Sequence, residues 1–88
     1  MVHIAAAAGL GVVIGHGFGL TISTLAEATV AAVCGAVREG CEAVGPLKVA
    51  ADVVVQPAML DRGVIRLSER PGFGVDIDPV ALARVRRA

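Results

Sequence analysis

The stretch from Gly9 to Pro46, GLGVVIGHGFGLTISTLAEATVAAVCGAVREGCEAVGP, leaves this chain few ways to fold. An apolar run, Gly11 to Ile14, leads into the glycine-rich turn Gly15-His16-Gly17-Phe18-Gly19. A helix-forming segment from about Leu20 to Glu39 follows, and Cys41 to Val44 reads as a second short strand. Strand, helix and strand at this spacing make a βαβ unit, whose strands should lie parallel with a right-handed crossover. Parallel strands are covered on both faces and read as near-continuous apolar runs, as Val12-Val13-Ile14 does. One such unit is not a domain, and that shortfall governs what the chain can do.

Composition sharpens the point. A chain of 88 residues can form one small domain that buries roughly 60% of its unfolded surface. Here 56% of residues are hydrophobic but only 2% aromatic, so small Ala, Val and Gly side chains supply the apolar content. Each buries little area, at roughly 25 cal/mol per Å², and a core made from them alone is thin. Up to Val37 the only formal charge is Glu27, whereas charges are frequent from Arg38 onward. The first half therefore reads as material for the inside of something larger. Net charge is zero and the arginines are scattered apart from Arg84, Arg86 and Arg87; no electrostatic footprint for nucleic acid is present.

Cys34 and Cys41 are the only cysteines. Neither belongs to a CxxC pair or has a His at metal-ligand spacing, so they read as buried thiols in a reducing, cytoplasmic setting. A spanning helix has to be weighed, because Ile4 to Ala26 carries no formal charge over about 20 residues. His16 at its midpoint, several hydroxyls and the series Gly9, Gly11, Gly15, Gly17 and Gly19 argue against it, since each interior glycine costs a helix on the order of 1 kcal/mol. No basic residues precede the apolar run as a signal peptide requires. No membrane partner is expected, and a small membrane peptide stays as an alternative reading.

Along the chain, Met1 to Ala8 is helix-prone with Gly9 suited to the position just after a helix, as if a longer helix ended here. His16 stands where a parallel strand delivers its C-terminal end, the place where α/β proteins build sites. It is a candidate base, proton donor or substrate contact; the plainer reading is a hydrogen-bonded His in a tight turn. The glycines lack the spacing of a dinucleotide fingerprint. In the helix, Ile22, Leu25, Ala26, Val33 and Val37 lie near one stripe, with Glu27 and Arg38 off it and Gly40 as the end. Glu42 sits in a short apolar strand, where an ionised side chain needs a partner; it is a site group or the acid of a salt bridge to an arginine. Asp52 to Gln56 and Gly63 to Leu67 read as strands of a hairpin around Leu60-Asp61-Arg62-Gly63. After the Ser68–Gly74 loop, Asp78-Pro79 caps a last helix running to about Arg87.

These pieces, in order, resemble a known family. A glycine-rich strand end, the helix opening GLTISTLAEA, the strand CEAVGPL, then DVVVQP, GVIRL and PGFGVDID are similar to the C-terminal end of the muconate-lactonizing-enzyme and mandelate-racemase branch of the enolase superfamily. The resemblance covers nearly the whole chain. It implies an α/β fold: the last βαβ part of an enolase-superfamily (β/α)8 TIM barrel, with Gly11–Ile14 as its seventh strand and Cys41–Val44 as its eighth. Residues 1–47 would be the end of the barrel, and 48–88 a C-terminal tail, with a β-hairpin and short helix, packing towards a capping domain.

The resemblance also implies chemistry. Enzymes of that branch hold Mg²⁺ (or Mn²⁺) on carboxylates of the third, fourth and fifth strands. The metal stabilises an enolate formed when a base removes the proton next to a substrate carboxylate. The bases are lysines on the second and sixth strands, or a His on the seventh paired with an Asp on the sixth. Carried onto this chain, Glu42 matches the acidic residue at the end of the eighth strand, and His16 falls within a residue of the seventh-strand His. These are the candidate catalytic residues. The chain departs from the pattern elsewhere: Lys48 is its only lysine and no three carboxylates fall on successive strands, so none of its own residues is expected to bind the metal. A barrel needs about 250 residues; this chain corresponds to roughly the final quarter. The expected partner is a small carboxylate substrate. In isolation the chain should be inactive, racemase, cycloisomerase or dehydratase alike, and should associate through exposed strand edges. The alternative is an interaction or structural module completed by a partner chain.

Overall fold

The computed structural model describes residues 1–58 and 60–86. In order come helix α1 (Val2–Ala7), helix α2 (Thr21–Val33), a 3₁₀ turn (Gly45–Leu47), strands β1 (Leu60–Asp61) and β2 (Val64–Ile65), and helix α3 (Pro79–Val85). Helix α1 ends as the sequence indicates. Gly9 takes a left-handed φ of 71°, and the amides of Gly9 and Leu10 donate back to the carbonyls of Ala6 and Ala5 at 3.1 and 2.9 Å. That double closure satisfies the last carbonyls of the helix.

The two apolar runs on either side of α2 lie side by side and point the same way. Ile14 pairs with Cys41 in a parallel bridge, closed by the Glu42 N–H donating to the Ile14 carbonyl at 2.9 Å. The pairing is shorter than the four-residue strands read from sequence. The Val12 N–H, which would extend it, goes instead to the Ala36 carbonyl at 3.1 Å. The same competition shortens α2. It stops at Val33, with Cys34 already extended (φ −97°, ψ 100°), and not near Glu39. Residues Gly35 and Ala36 turn the chain back beneath the first strand. Gly40, at φ 102°, is thus a turn residue leading into Cys41, not the cap of the helix.

The tail pairs differently from expectation. The hairpin joins Leu60–Asp61 to Val64–Ile65 in antiparallel register. Its two-residue turn, Arg62-Gly63, has both φ values positive, 47° and 82°, the turn whose twist matches that of the flanking strands. The Asp52–Gln56 strand finds another partner: Val54 bridges antiparallel to Ile77, with Val55 N–H donating to Asp76 O and Asp78 N–H to Val53 O at 2.9 and 2.8 Å. Helix α3 begins as expected, Asp78 Oδ1 accepting from the amides of Val80 and Ala81 at 2.8 and 3.1 Å. Its expected end at Arg87 lies outside the described residues.

The core forms where α2 meets the end of the second strand and the tail. Thr21, Thr24 and Leu25 of α2 are buried there with Ala43, Gly45, Val53 and Val54. The expected stripe holds at Leu25 but fails at Val33, which is 76% exposed, because nothing described here covers that end. Cys34 is half-buried and Cys41 exposed, both as free thiols; the expectation of two buried thiols fails at Cys41, whose one strand partner among the described residues is Ile14. Among the described residues no helix is long and apolar enough to cross a membrane. The uncharged stretch is divided between α1, the glycine loop and α2.

Candidate functional site

Because Ile14 and Cys41 are paired in parallel, the residues just past them leave the pair at one edge. His16 and Glu42 are those residues. Their environments differ.

The His16 side chain is 5% exposed and turned into the seam between the glycine loop and α2. Its Nδ1 lies 3.0 Å from Oε2 of Glu27, whose side chain is 17% exposed. The other carboxylate oxygen accepts from the Gly17 N–H and the Ser23 hydroxyl, both at 3.4 Å. Burial pushes the Glu27 carboxyl up, but the His16 hydrogen bond, the Gly17 amide, the charge of protonated His16 and the Ser23 hydroxyl together hold it below the ordinary glutamate value. On the far side of the ring, Nε2 is buried without a hydrogen-bond partner, as is Thr24 Oγ1. Gly45 closes this seam. A Cβ there would stand 2.1 Å from the Gly19 carbonyl oxygen, 2.7 Å from Thr24 Oγ1 and 3.0 Å from His16 Cε1.

Glu42 is exposed. Its N–H serves the parallel pair, and its carboxylate makes no hydrogen bond or ion pair with any described residue. The cost of an ionised group in an apolar strand does not arise, because only one bridge forms and the side chain stands in water. The expected salt bridge to an arginine is absent among the described residues. His16 and Glu42 thus share an edge rather than a contact.

Three further residues belong to this edge, and the sequence reading gave none of them a role. Glu27 is one; its signal was that it is the only formal charge before Arg38, so a partner had to be found within an apolar half. Phe18 is another. It holds a positive φ of 55°, uncommon for a residue with a side chain, and is 69% exposed. Its ring meets His16 edge-on, with centroids 5.4 Å apart and planes at 66°. The third is Lys48, whose Nζ sits 4.9 Å above the Phe18 ring, within the range of a cation–π contact.

Among the described residues no three His, Cys, Asp or Glu side chains come together as a metal site. An open cavity of about 410 Å³ involves Ala6, Leu10, Gly11 and Glu39; it lies at the start of the first strand, opposite the edge that carries His16 and Glu42.

The sequence profile of the Enolase C-terminal domain-like family matches residues 1–81. Solved structures match closely as well. Muconate lactonizing enzyme from Klebsiella pneumoniae is 30% identical with a TM-score of 0.90, over 98% of this chain and 24% of that one. Muconate cycloisomerase from Pseudomonas fluorescens is 31% identical with a TM-score of 0.91, again over 98% and 24%. Muconate lactonizing enzyme from Pseudomonas putida is 32% identical with a TM-score of 0.89, over 97% and 24%. This chain thus spans about a quarter (24%) of those chains. No curated protein matches it.

Proposed function

Since this chain belongs to the Enolase C-terminal domain-like family over residues 1–81, we propose that it is the closing part of a barrel enzyme of the muconate-cycloisomerase kind. Such an enzyme moves a proton at the carbon next to a substrate carboxylate. The observation that carries the reading is the parallel pair Ile14–Cys41. In this reading the pair is the C-terminal ends of two barrel strands at one edge, where sites of such barrels lie, and Glu42, which is exposed, belongs to that site. In this reading Glu42 faces the substrate as a hydrogen-bond acceptor or proton carrier, and His16 supports the same edge from the seam behind it. The barrel would be completed by strands that this chain does not hold, and the Mg²⁺ or Mn²⁺ of the family would be bound by those strands. No step assigned to the present residues runs through the metal. Residues 48–88 would continue from the barrel as the tail that packs towards a capping domain.

The reading is tested by complementation. A muconate cycloisomerase lacking its final quarter is co-produced with this chain, and lactone formation from muconate is followed. Restored turnover is expected, with Glu42→Gln lowering kcat on the order of 10²-fold or more, while the chain alone gives none. Association of the two polypeptides without turnover, or full turnover with Glu42→Gln, would count against it.

A further inference from the structure

The glycine loop holds an arrangement that the proposed chemistry does not use. Glu27 reaches across from α2 and gathers three donors of the loop and its own helix: His16 Nδ1, the Gly17 N–H and the Ser23 hydroxyl. The imidazole so held meets Phe18 edge-on, and Phe18 in turn lies under Lys48. Phe18 keeps this place at a φ of 55°, a conformation that persists only where surroundings enforce it. Flanking Gly15 and Gly17 have open space where a Cβ would go, so close packing at those two positions does not enforce it.

We propose that Glu27 is a positioning residue: through His16 it latches the Gly15–Gly19 loop so that Phe18 is presented beside Lys48 at the edge that carries Glu42. The pair lies wholly within residues 16–27, so the latch needs no other strand and does not rest on the muconate reading. A charge-assisted bond of this kind is stronger than a neutral one, and its partly buried setting limits screening. The groups facing the pair are Ser23 from α2, the Gly17 amide from the loop, and Gly45 from the 3₁₀ turn. Among these contacts the next charged group is Lys48, which meets the Phe18 ring. Protonation of Glu27 removes the negative partner of His16 and opens the latch.

The test is nuclear magnetic resonance on the isotopically labelled 88-residue chain, held at a concentration where sedimentation shows it monomeric. In the wild type, His16 should show a slowly exchanging Nδ1 proton and Phe18 cross-peaks to the Lys48 side chain. Glu27→Gln should shift the loop's open population on the order of tenfold: the Nδ1 proton exchanges freely and the Phe18–Lys48 cross-peaks fade, while the Glu42 amide stays protected by Ile14. Should Glu27→Gln also cost the Glu42 protection, wild-type titration decides. The Phe18 and Gly17 signals must move with the Glu27 carboxyl carbon, before Glu42 protection is lost. The proposal is overturned by a wild-type chain lacking the protected Nδ1 proton, by a variant that keeps the Phe18–Lys48 contact, or by Phe18 signals that ignore the Glu27 titration.

Discussion

Glu27 stays ionised in the folded chain to lower pH than a free glutamate does, since His16, Gly17 and Ser23 all favour its charged form over the cost of burial. A carboxyl depressed on folding stabilises the native state above its unfolded value, and that stability is lost as pH falls through the folded value. The loss therefore sets in as pH falls below the ordinary glutamate range, towards the lowered folded value. Urea unfolding of the wild type and Glu27→Gln should differ at neutral pH and converge in acid; a gap independent of pH would remove the ionised pair from the account. Gly45 gives a second residue-scale prediction. Its missing Cβ would stand 2.1 Å from a backbone oxygen, which cannot swing aside as a side chain would, so Gly45→Ala should cost about 3 kcal/mol. Gly15→Ala, with nothing within 4 Å of the new carbon, is the control and should be near neutral in the same urea titration. In sequence the two glycines look alike, each a turn residue after a short apolar run. Their difference lies in Gly19 and Thr24, which only the folded chain brings to Gly45.

At the scale of elements, what was legible depended on how near in the chain the stabilising group lay. Helix α3 carries its cap next to it, in Asp78-Pro79, and was readable to its first residue. Helix α2 has no cap of its own. Its first amide, at Thr21, donates to Asp52 Oδ2 at 2.9 Å, from a carboxylate 31 positions further on, while Asp52 Oδ1 takes the Val53 N–H at 2.7 Å. Thr21 returns the connection, its hydroxyl accepting from the Ala58 N–H at 2.8 Å. In sequence, Asp52 starts a hairpin strand, because Val53-Val54-Val55 has strand composition. That composition is real, but it cannot name the partner, and the segment pairs with Ile77 instead of with Gly63 to Leu67. Asp52→Ala should therefore do more than trim a surface. By removing a remote N-cap it should lower stability by about 1–2 kcal/mol and reduce the helical circular-dichroism signal, whereas Asp61→Ala, on an exposed hairpin residue, should change neither. Equal effects from the two would mean that Asp52 does not cap α2.

For the whole molecule, the parallel βαβ unit was legible because it is local in sequence; the missing neighbours of its strands were legible only as a lack of charge. The structure shows what that lack amounts to. A compact folded chain of 8.9 kDa exposes about 4,800 Å², yet this one exposes 6552 Å². Its radius of gyration is 14.6 Å against about 12 Å for a compact domain of this length. The excess lies partly in apolar side chains around the parallel pair: Leu10, Val13 and Val33 are 63%, 51% and 76% exposed. An unpaired edge with apolar flanks is a template for association. The isolated chain should therefore grow in sedimentation coefficient as concentration rises and bind a hydrophobic dye. Val13→Lys should suppress both without loss of helix signal, because Val13 contributes to the open face and little to the buried set around Leu25. If Val13→Lys instead unfolds the chain, Val13 belongs to a core and the open-face account is wrong. If the wild type stays monomeric and dye-free at every concentration, then α2, the 3₁₀ turn and the tail already close the fold, and the apolar first half needs no further strands to cover it.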